Sequence, residues 1–314
     1  MSENETKIGE KWIISNILKG HKNSICTLAF NYFRNIFATG ASDGKIYLWC
    51  IKSFKNLSVF NDHFGSIQSM VFDEKTDCLF SGGDNFQINQ WDIQTNSIVR
   101  KYSGHVSSII KIIKNPILNI IISGSRDNTI RLWDFRLKNE IKSLKGHKYD
   151  VTSLLSNIES PHLISGSLDD TLCFWDLVSN KNLLVLKNKD NGIKEICHLR
   201  NNEIFSVLSS QYINFYRKDG KIIKKITCNY TSNECFTIGH NNNIVISCSN
   251  GFIKYTYFYI RNSWLFFKPF NSKFVGKKEQ KKKAIGFSKK ENQLILVGTD
   301  KNIVVFSKKW FLFK

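Results

Sequence analysis

The chain has 314 residues, of which 42% are hydrophobic, and it carries a formal net charge of +19 at neutral pH. This length allows one large all-β domain or two ordinary domains, and the hydrophobic content excludes the fibrous and disordered classes. Because no apolar run reaches roughly 18 residues and no apolar segment precedes Trp12, neither a membrane span nor a secretory signal is expected.

The chain opens with a polar segment, residues 1–11, which predicts a disordered leader. Residues 12–18 are mostly apolar and predict a first strand. A unit then begins near His21, with an apolar strand, a second strand ending in Thr39-Gly40, a turn that contains an Asp, and a third strand ending at Trp49. A fourth, more polar strand leads into the next unit. Short apolar runs between turn residues are typical of β-strands.

This unit recurs at a constant step of 42 residues. The residues that keep the step are Trp49, Trp91, Trp133 and Trp175 at the ends of third strands, and His21, His63, His105 and His147 at the openings of units. Later copies are weaker: Tyr216 stands near the Trp position of a fifth unit, residues 249–251 mark a turn in a sixth, and residues 297–306 end a seventh. A constant period of this length indicates a repeat architecture.

Four strands in each period of about 40–45 residues resemble the WD40 blade of a β-propeller. The resemblance implies an all-β fold, a single seven-bladed WD40 β-propeller over residues 12–314, closed by the N-terminal strand. Residues 12–18 are expected to pair with a strand of the seventh blade around residues 303–306. Without that pairing the ring would leave strand edges open.

The strong units place four side chains at fixed offsets that suit a buried chain of hydrogen bonds. The indole N–H of the Trp can donate to a hydroxyl, the hydroxyl to an imidazole, and the imidazole to a carboxylate. The predicted structural sets are His21, Thr39, Asp43 and Trp49; His63, Ser81 and Trp91; His105, Ser123, Asp127 and Trp133; and His147, Ser165, Asp169 and Trp175. In the second unit Asn85 stands at the Asp position.

Ser, His and Asp are also the residue types of a nucleophilic catalytic triad. Repetition in one chain favours a structural role, and the sequence contains no phosphate-binding Gly-rich loop or metal-spaced His pair. The eight cysteines form no Cys-x-x-Cys pair and do not follow the 42-residue step, which argues against a zinc site and a disulfide framework. We therefore predict a protein that is not an enzyme and has no cofactor, metal site or small-molecule substrate.

The basic charge has two explanations that the sequence leaves open. It suits a nucleic-acid partner, but a Lys-rich, Arg-poor composition is also what an AT-rich genome would impose. In this Arg-poor chain Arg126, Arg131 and Arg136 are predicted to point outward and bind a partner, because Arg makes bidentate and stacked contacts that Lys cannot. Simple solubilising charge is the alternative.

A second basic feature lies before the last unit. Its lysines are Lys277, Lys278, Lys281, Lys282 and Lys283. They predict a mobile loop that could contact RNA phosphates, with a merely solvated loop as the alternative.

Several segments go beyond the generic repeat, namely residues 12–21, 79–84, 99–105, 125–129, 186–188 and 213–220. Along these segments the chain resembles the pleiotropic regulator family of splicing WD40 proteins, which are core members of the NineTeen complex of the spliceosome. The resemblance implies a nuclear scaffold in pre-mRNA splicing that binds other NineTeen complex proteins, with RNA contact open. The family's long N-terminal extension and basic C-terminal tail have no counterpart here, so contacts made by those tails are not expected.

A different class of function is indicated by residues 133–136, which read Trp-Asp-Phe-Arg. This WDxR pattern resembles that of substrate receptors of cullin ubiquitin ligases, in which the Arg engages the adaptor. The resemblance would assign that role to Arg136. A ribosome-associated or trafficking propeller is a third reading. The alternatives differ in their partners, which the sequence does not identify.

Overall fold

The structure is a computed structural model, and its described residues are 8–137, 140–157, 159–188, 190–198, 204–210, 212–227, 233–238, 243–248, 253–261, 264–270, 282–288, 293–298 and 301–312. Within these ranges every regular element is a β-strand, so the all-β expectation is confirmed. The same residues include no helix long and apolar enough to cross a membrane.

The described strands form seven four-stranded antiparallel sheets, which we call blades one to seven in the order of their first strands. Grouped by blade, the strands are β2 (Ile25–Asn31), β3 (Ile36–Ala41), β4 (Ile46–Cys50) and β5 (Asn56–Phe60); β6 (Ile67–Asp73), β7 (Cys78–Gly83), β8 (Gln87–Asp92) and β9 (Ser97–Ser103); β10 (Ile109–Asn115), β11 (Ile120–Ser125), β12 (Thr129–Trp133) and β13 (Glu140–Lys145); β14 (Val151–Ser156), β15 (His162–Ser167), β16 (Thr171–Asp176) and β17 (Lys181–Lys187); β18 (Ile193–His198), β19 (Ile204–Ser209), β20 (Tyr212–Arg217) and β21 (Ile222–Thr227); β22 (Asn233–Ile238), β23 (Asn243–Cys248), β24 (Ile253–Arg261) and β25 (Trp264–Phe270); and β26 (Lys282–Ser288), β27 (Gln293–Gly298), β28 (Ile303–Leu312) and β1 (Ile8–Leu18).

The N-terminal strand belongs to the same sheet as the last strands of the chain. β1 pairs antiparallel with β28 from Ile8 opposite Leu312 to Leu18 opposite Ile303, with a bulge between Ile14 and Asn16. Because β28 continues to Leu312, it provides partners for residues ahead of Trp12. The predicted leader of residues 1–11 is therefore wrong for residues 8–11, which are strand.

The blades contact one another through their first strands. In succession β2, β6, β10, β14, β18, β22 and β26 are in contact, and β26 in turn contacts β2. Where two blades meet, the repeated glycine of the second strand matters. A Cβ at Gly166 would come within 2.5 Å of Ile193 in the next blade, so a side chain there would push the two sheets apart.

The core lies between neighbouring blades rather than inside one sheet. In blades one to four the second residue after the repeated tryptophan packs into the apolar cluster between its own blade and the preceding one. These four residues, which we call the plug residues, are Ile51, Ile93, Phe135 and Leu177. Burial of large apolar side chains is the main stabilising contribution to such an interface, at about 1.5–3 kcal/mol for each fully buried side chain.

Candidate functional site

Blade three contains a complete buried chain of hydrogen bonds. Trp133 Nε1 donates to Ser123 Oγ at 2.8 Å, Ser123 Oγ lies 2.7 Å from His105 Nε2, and His105 Nδ1 lies 2.7 Å from Asp127 Oδ2. An indole can only donate and a carboxylate can only accept, so the serine hydroxyl donates to Nε2 and Nδ1–H donates to Asp127. Burial would raise the pKa of Asp127, but the hydrogen bonds from His105 and Thr129 outweigh it and hold that pKa below its usual range.

Blade four has the same arrangement in a slightly looser form. Trp175 Nε1 donates to Ser165 Oγ at 2.8 Å, and Ser165 Oγ lies 2.7 Å from His147 Nε2. His147 Nδ1 lies 3.2 Å from Asp169 Oδ2 and 3.0 Å from Thr171 Oγ1. Burial lowers the pKa of His147, with the Asp169 carboxylate opposing the shift. Both chains are internal, and their serines are fully buried.

Blade one has only half of the predicted set. Thr39 accepts from Trp49 Nε1 at 2.9 Å and lies 2.7 Å from His21 Nε2, but His21 Nδ1 has no partner. Asp43 accepts instead from the backbone N–H of Lys45 at 3.1 Å, so its predicted place in the chain is wrong.

Blade one differs at the residue two positions after the Asp. In blade three Thr129 Oγ1 donates to Asp127 Oδ1 at 2.6 Å, and in blade four Thr171 Oγ1 lies 2.5 Å from Asp169 Oδ1. In both blades the residue after the histidine also donates its backbone N–H to the other carboxylate oxygen. Lys45 stands two positions after the Asp in blade one and has no hydroxyl to donate.

Blade two lacks the histidine link. Trp91 Nε1 donates to Ser81 Oγ at 2.8 Å, whereas neither ring nitrogen of His63 has a hydrogen-bond partner. The predicted role of His63 in the set is therefore wrong. His63 is 3% exposed and His21 is 7% exposed, and burial lowers the pKa of each to about 4. Both histidines are neutral in the folded protein near neutral pH.

Blade five replaces the set by amides. Tyr216 Oη donates to Asn188 Oδ1 at 2.9 Å, and Asn214 Nδ2 lies 2.6 Å from Asn188 Oδ1 and 2.7 Å from Asp190 Oδ2. The sequence analysis did not identify Asn214 as part of a set. The sequence signal for Asn214 was its polar side chain within the otherwise apolar run Ile213–Tyr216. All four residues of this run are buried in the structure.

The three arginines do not form one surface. Arg131 lies in the middle of β12, where its guanidinium pairs with Glu140 and its side chain is 16% exposed, so the prediction that it points outward is wrong. Arg126 is 55% exposed and lies 3.7 Å from Asp150. Arg136, 73% exposed, donates from Nε and Nη2 to the Asp134 carboxylate at 2.9 and 2.7 Å. Arg126 and Arg136 lie at opposite ends of blade three.

The lysine cluster lies mostly outside the described residues. Lys277, Lys278 and Lys281 are outside them. Lys282 and Lys283 belong to β26, in which Lys282 is paired with Gly298, so the prediction of a loop is wrong for these two.

The loops that carry the repeated His and Asp residues form one end of the blades, which we call the upper face. It consists of the loops before each first strand and the turns between the second and third strands. Five exposed apolar side chains lie there, namely Phe64 (78%), Val106 (77%), Tyr149 (62%), Leu168 (48%) and Phe86 (41%). Arg126 lies on the same face, in the turn between β11 and β12. An exposed apolar group of this kind marks interaction sites on soluble proteins.

Phe86 also has an unusual backbone. Its φ is 62°, in the left-handed region, where the equivalent residues of blades one, three and four are Gly44, Asn128 and Asp170. Gly, Asn and Asp enter this region at small cost, whereas a bulky residue there is strained. Retaining an aromatic ring that is strained and 41% exposed points to a role at the surface.

These apolar residues were missed by the sequence analysis. The available signal was positional: Phe64 and Val106 directly follow the repeated histidines, and Phe86 directly follows the Asp position of its unit. All three therefore stand in loops, where apolar residues are not needed for packing.

The site residues provide no metal centre in the part of the chain that the structure describes, where no group of three His, Cys, Asp or Glu side chains could hold an ion.

In comparisons with known proteins, the family model of the WD domain, G-beta repeat, matches residues 12–50, 54–92, 96–134 and 138–176. Each matched segment ends one residue after the tryptophan of its unit. A comparison with curated proteins gives no match. The four matched segments are therefore WD40 repeats, and the repeats expected from the 42-residue step are confirmed in them.

Proposed function

We propose that this WD40-repeat protein is a non-enzymatic scaffold whose upper face binds other proteins. The observation that carries the proposal is the group of exposed apolar side chains formed by Phe64, Phe86, Val106, Tyr149 and Leu168. Aromatic residues dominate the binding energy of protein interfaces, and three of these five are aromatic. The Ser-His-Asp chains are buried beneath this face and bonded to tryptophans, which supports a structural role for them.

The proposed frame of this face is a closed seven-bladed propeller. Two features of the described residues support closure. The first strands contact in succession from β2 to β26 and back to β2, and β1 completes the sheet of blade seven by pairing with β28. A ring of this kind would place the upper loops of all blades around one axis.

The proposed partners are spliceosomal proteins of the NineTeen complex, and the proposed compartment is the nucleus. The support is the resemblance of the chain to the pleiotropic regulator family. The net charge of +19 is consistent with nearby RNA.

Affinity purification of the tagged chain from its own cells tests this proposal. We expect splicing proteins and small nuclear RNAs to co-purify, and we expect Phe64→Ser combined with Tyr149→Ser to lose them. Phe33→Ser is the matched control, because Phe33 is also 78% exposed but lies at the opposite end of the blades. Recovery of cullin or ribosomal proteins instead would contradict the splicing proposal.

A second candidate function is a substrate receptor of a cullin ubiquitin ligase. The specific observation in its favour is the geometry of Arg136, which is 73% exposed and held in a two-point contact by Asp134. Such a contact fixes the orientation of a planar guanidinium before a partner arrives.

A pull-down with the purified adaptor protein tests this candidate. We expect Arg136→Ala to abolish binding and Arg126→Ala, on the upper face, to leave it intact. Absence of adaptor binding by the unmodified chain would eliminate the candidate.

A further inference from the structure

An apolar pocket of about 290 Å³ lies between blades four and five, at the end opposite the upper face. Its apolar walls include Ile164, Phe174, Leu184 and Phe205. The polar lining residues are Asn157, His162, His198, Lys218 and Asp219. Ile164, Phe174 and Phe205 also belong to the apolar cluster that joins the two blades. The pocket is therefore an unfilled extension of the interblade core.

The pocket is open because blade five lacks a plug residue. Phe205 pairs with Tyr216 as Leu163 pairs with Trp175 in blade four, so Tyr216 takes the position of the repeated tryptophan. The second residue after it is Lys218, which is exposed. Blades one to four have Ile51, Ile93, Phe135 and Leu177 at this position, packed against the interblade cores.

A second substitution, in the fourth strand, widens the opening. The residue at position 184 of β17 is Leu184, whereas Arg100 and Lys142 occupy the equivalent positions, 84 and 42 residues earlier. Arg100 donates from Nη1 to the carbonyls of Phe135 and Leu137 in the next blade, at 2.8 and 3.1 Å, and so closes that groove. Leu184 has no donor to bridge to blade five.

The corresponding groove between blades one and two is less apolar. It has a volume of about 320 Å³, and its lining includes the polar residues Arg34, Ser58 and Asn96 together with the plug residue Ile93. Of these two grooves, the one between blades one and two contains a plug residue, and the one between blades four and five has an apolar floor and no plug residue.

The strand that borders the pocket is an unprotected sheet edge. β17 pairs only with β16, and Leu183, Leu184 and Val185 are 56%, 39% and 51% exposed. Proteins usually protect such an edge with charged residues. β9, β13 and β21 carry Lys or Arg in the middle of the strand, whereas β5 and the five central residues of β17 are uncharged. Of these two uncharged edges, β17 exposes three large apolar side chains and β5 exposes Leu57.

We propose that this groove binds an extended segment of a partner protein, which adds as a fifth strand to β17 and inserts one large apolar side chain into the pocket. Backbone hydrogen bonds to a sheet edge together with a side-chain pocket are a recurrent mode of peptide recognition. Sites that hold whole small molecules have volumes of roughly 300–1,000 Å³, so a volume of about 290 Å³ suits a single anchoring side chain better.

The charges around the groove indicate an acidic segment. Lys181 and Lys187 stand at the two ends of β17, and Lys218 and Lys221 are exposed on blade five. These four lysines outnumber Asp219, which lines the pocket and lies 4.0 Å from Lys221. A second copy of this chain would bring the same lysines against each other, and each copy carries a net charge of +19. Acidic side chains flanking the apolar anchor would instead complement the site. The proposal shares with the proposed function only the premise that the chain binds proteins, since it concerns a different surface.

The test uses the full chain and a fluorescein-labelled ten-residue peptide of alternating Leu and Glu. Binding is measured by fluorescence anisotropy, and exchange of the β17 amide hydrogens is measured with and without the peptide. We expect saturable binding with protection of the β17 amides. Counterparts with Ser for Leu or Lys for Glu are expected to bind at least about tenfold more weakly.

Two variants restore what other blades have at these positions. Leu184→Arg introduces the residue of blade two, and Lys218→Leu introduces that of blade four. Each is expected to lower the affinity for the Leu-Glu peptide by about tenfold or more. Leu184→Arg adds a positive charge, so charge attraction alone would raise the affinity for the acidic peptide. A lower affinity of this variant would therefore show that the peptide uses the pocket. Ser58→Arg, at the equivalent position of blade one, is the matched control and should bind as the unmodified chain does.

The proposal is overturned if the Leu-Glu peptide does not bind, if both variants bind it unchanged, or if the Lys peptide binds more tightly. Self-association that Leu184→Arg removes, seen by analytical ultracentrifugation, would assign the edge to a second copy instead. The combined Phe64→Ser and Tyr149→Ser variant should bind the peptide normally, so failure here is distinguishable from failure of the upper-face proposal.

Discussion

Replacing Ser123 with Ala is expected to lower the free energy of unfolding by about 2–6 kcal/mol. The hydroxyl accepts from Trp133 Nε1 and donates to His105 Nε2, and all three groups are buried. Its removal leaves two polar groups without a partner, and each buried orphan costs about 1–3 kcal/mol. Urea unfolding followed by tryptophan fluorescence measures the change as a shift of the midpoint at constant slope.

Ser81→Ala is the matched control in blade two. Ser81 accepts from Trp91 Nε1 in the same geometry, at 2.8 Å, but His63 makes no hydrogen bond to it. The substitution therefore leaves one orphan instead of two, and we expect about half the loss of stability. Equal losses for the two variants would show that the histidine link in blade three contributes nothing to stability.

The sequence predicted the blades well because the repeat states the same pattern several times. Each tryptophan recurs with its hydroxyl partner ten residues earlier, and all four of these pairs are bonded in the structure at 2.8–2.9 Å. Strand alternation and turn residues are local signals, so they survive in one sequence without its homologues. The strand boundaries of the first four blades follow from them.

The carboxylate end of each set could not be predicted from the residue at the Asp position alone. Asp43 and Asp127 occupy equivalent positions, yet only Asp127 bonds to its histidine. Asp127 also accepts from the Thr129 hydroxyl and from the backbone N–H of Val106, whereas Lys45, at the position of Thr129, donates its backbone N–H to Asp43. These additional donors lie outside a motif of four positions.

The surfaces were harder to predict, because exposure depends on what the neighbouring blade provides. Arg131 belongs to β12, in which the polar residues Thr129 and Arg131 alternate with apolar ones. This alternation suggests an outward side chain, but Glu140 and the loop at Gly104 enclose it. The pocket beside Leu184 exists because Lys218 replaces an apolar residue in the next blade, and strict counting by 42 residues misses this since blade five is one residue shorter.

The second large effect is a loss of stability in acid, caused by the buried histidines. His21 and His63 have a folded pKa of about 4, because burial disfavours the charged ring, whereas the unfolded value is 6.5. Between these values the unfolded chain binds protons that the folded chain does not. The stability that the two histidines contribute therefore falls as the pH is lowered from about 6.5 to about 4, and this histidine contribution levels off below pH 4. Each histidine contributes on the order of 3 kcal/mol to the loss.

Asp127 acts in the same direction at lower pH. Its folded pKa is held below the usual range, so the stability that it contributes is present above the unfolded pKa of 3.8 and is lost as the pH falls through the folded value. The histidine phase therefore precedes the carboxylate phase on acidification. Thermal melts at intervals between pH 8 and pH 3 should show the midpoint falling first over the histidine window.

His63→Leu separates the histidine contribution from general acid effects. Neither ring nitrogen of His63 makes a hydrogen bond, so an apolar side chain breaks no polar contact. We expect the variant to be at least as stable as the unmodified chain at pH 8 and to lose less stability between pH 6.5 and 4, by the share of His63, on the order of 3 kcal/mol. In blade one the same experiment has a different expected result, because His21 accepts from Thr39 and its removal also leaves that hydroxyl without its acceptor. An acid profile identical to that of the unmodified chain would mean that His63 takes up its proton without opening the fold.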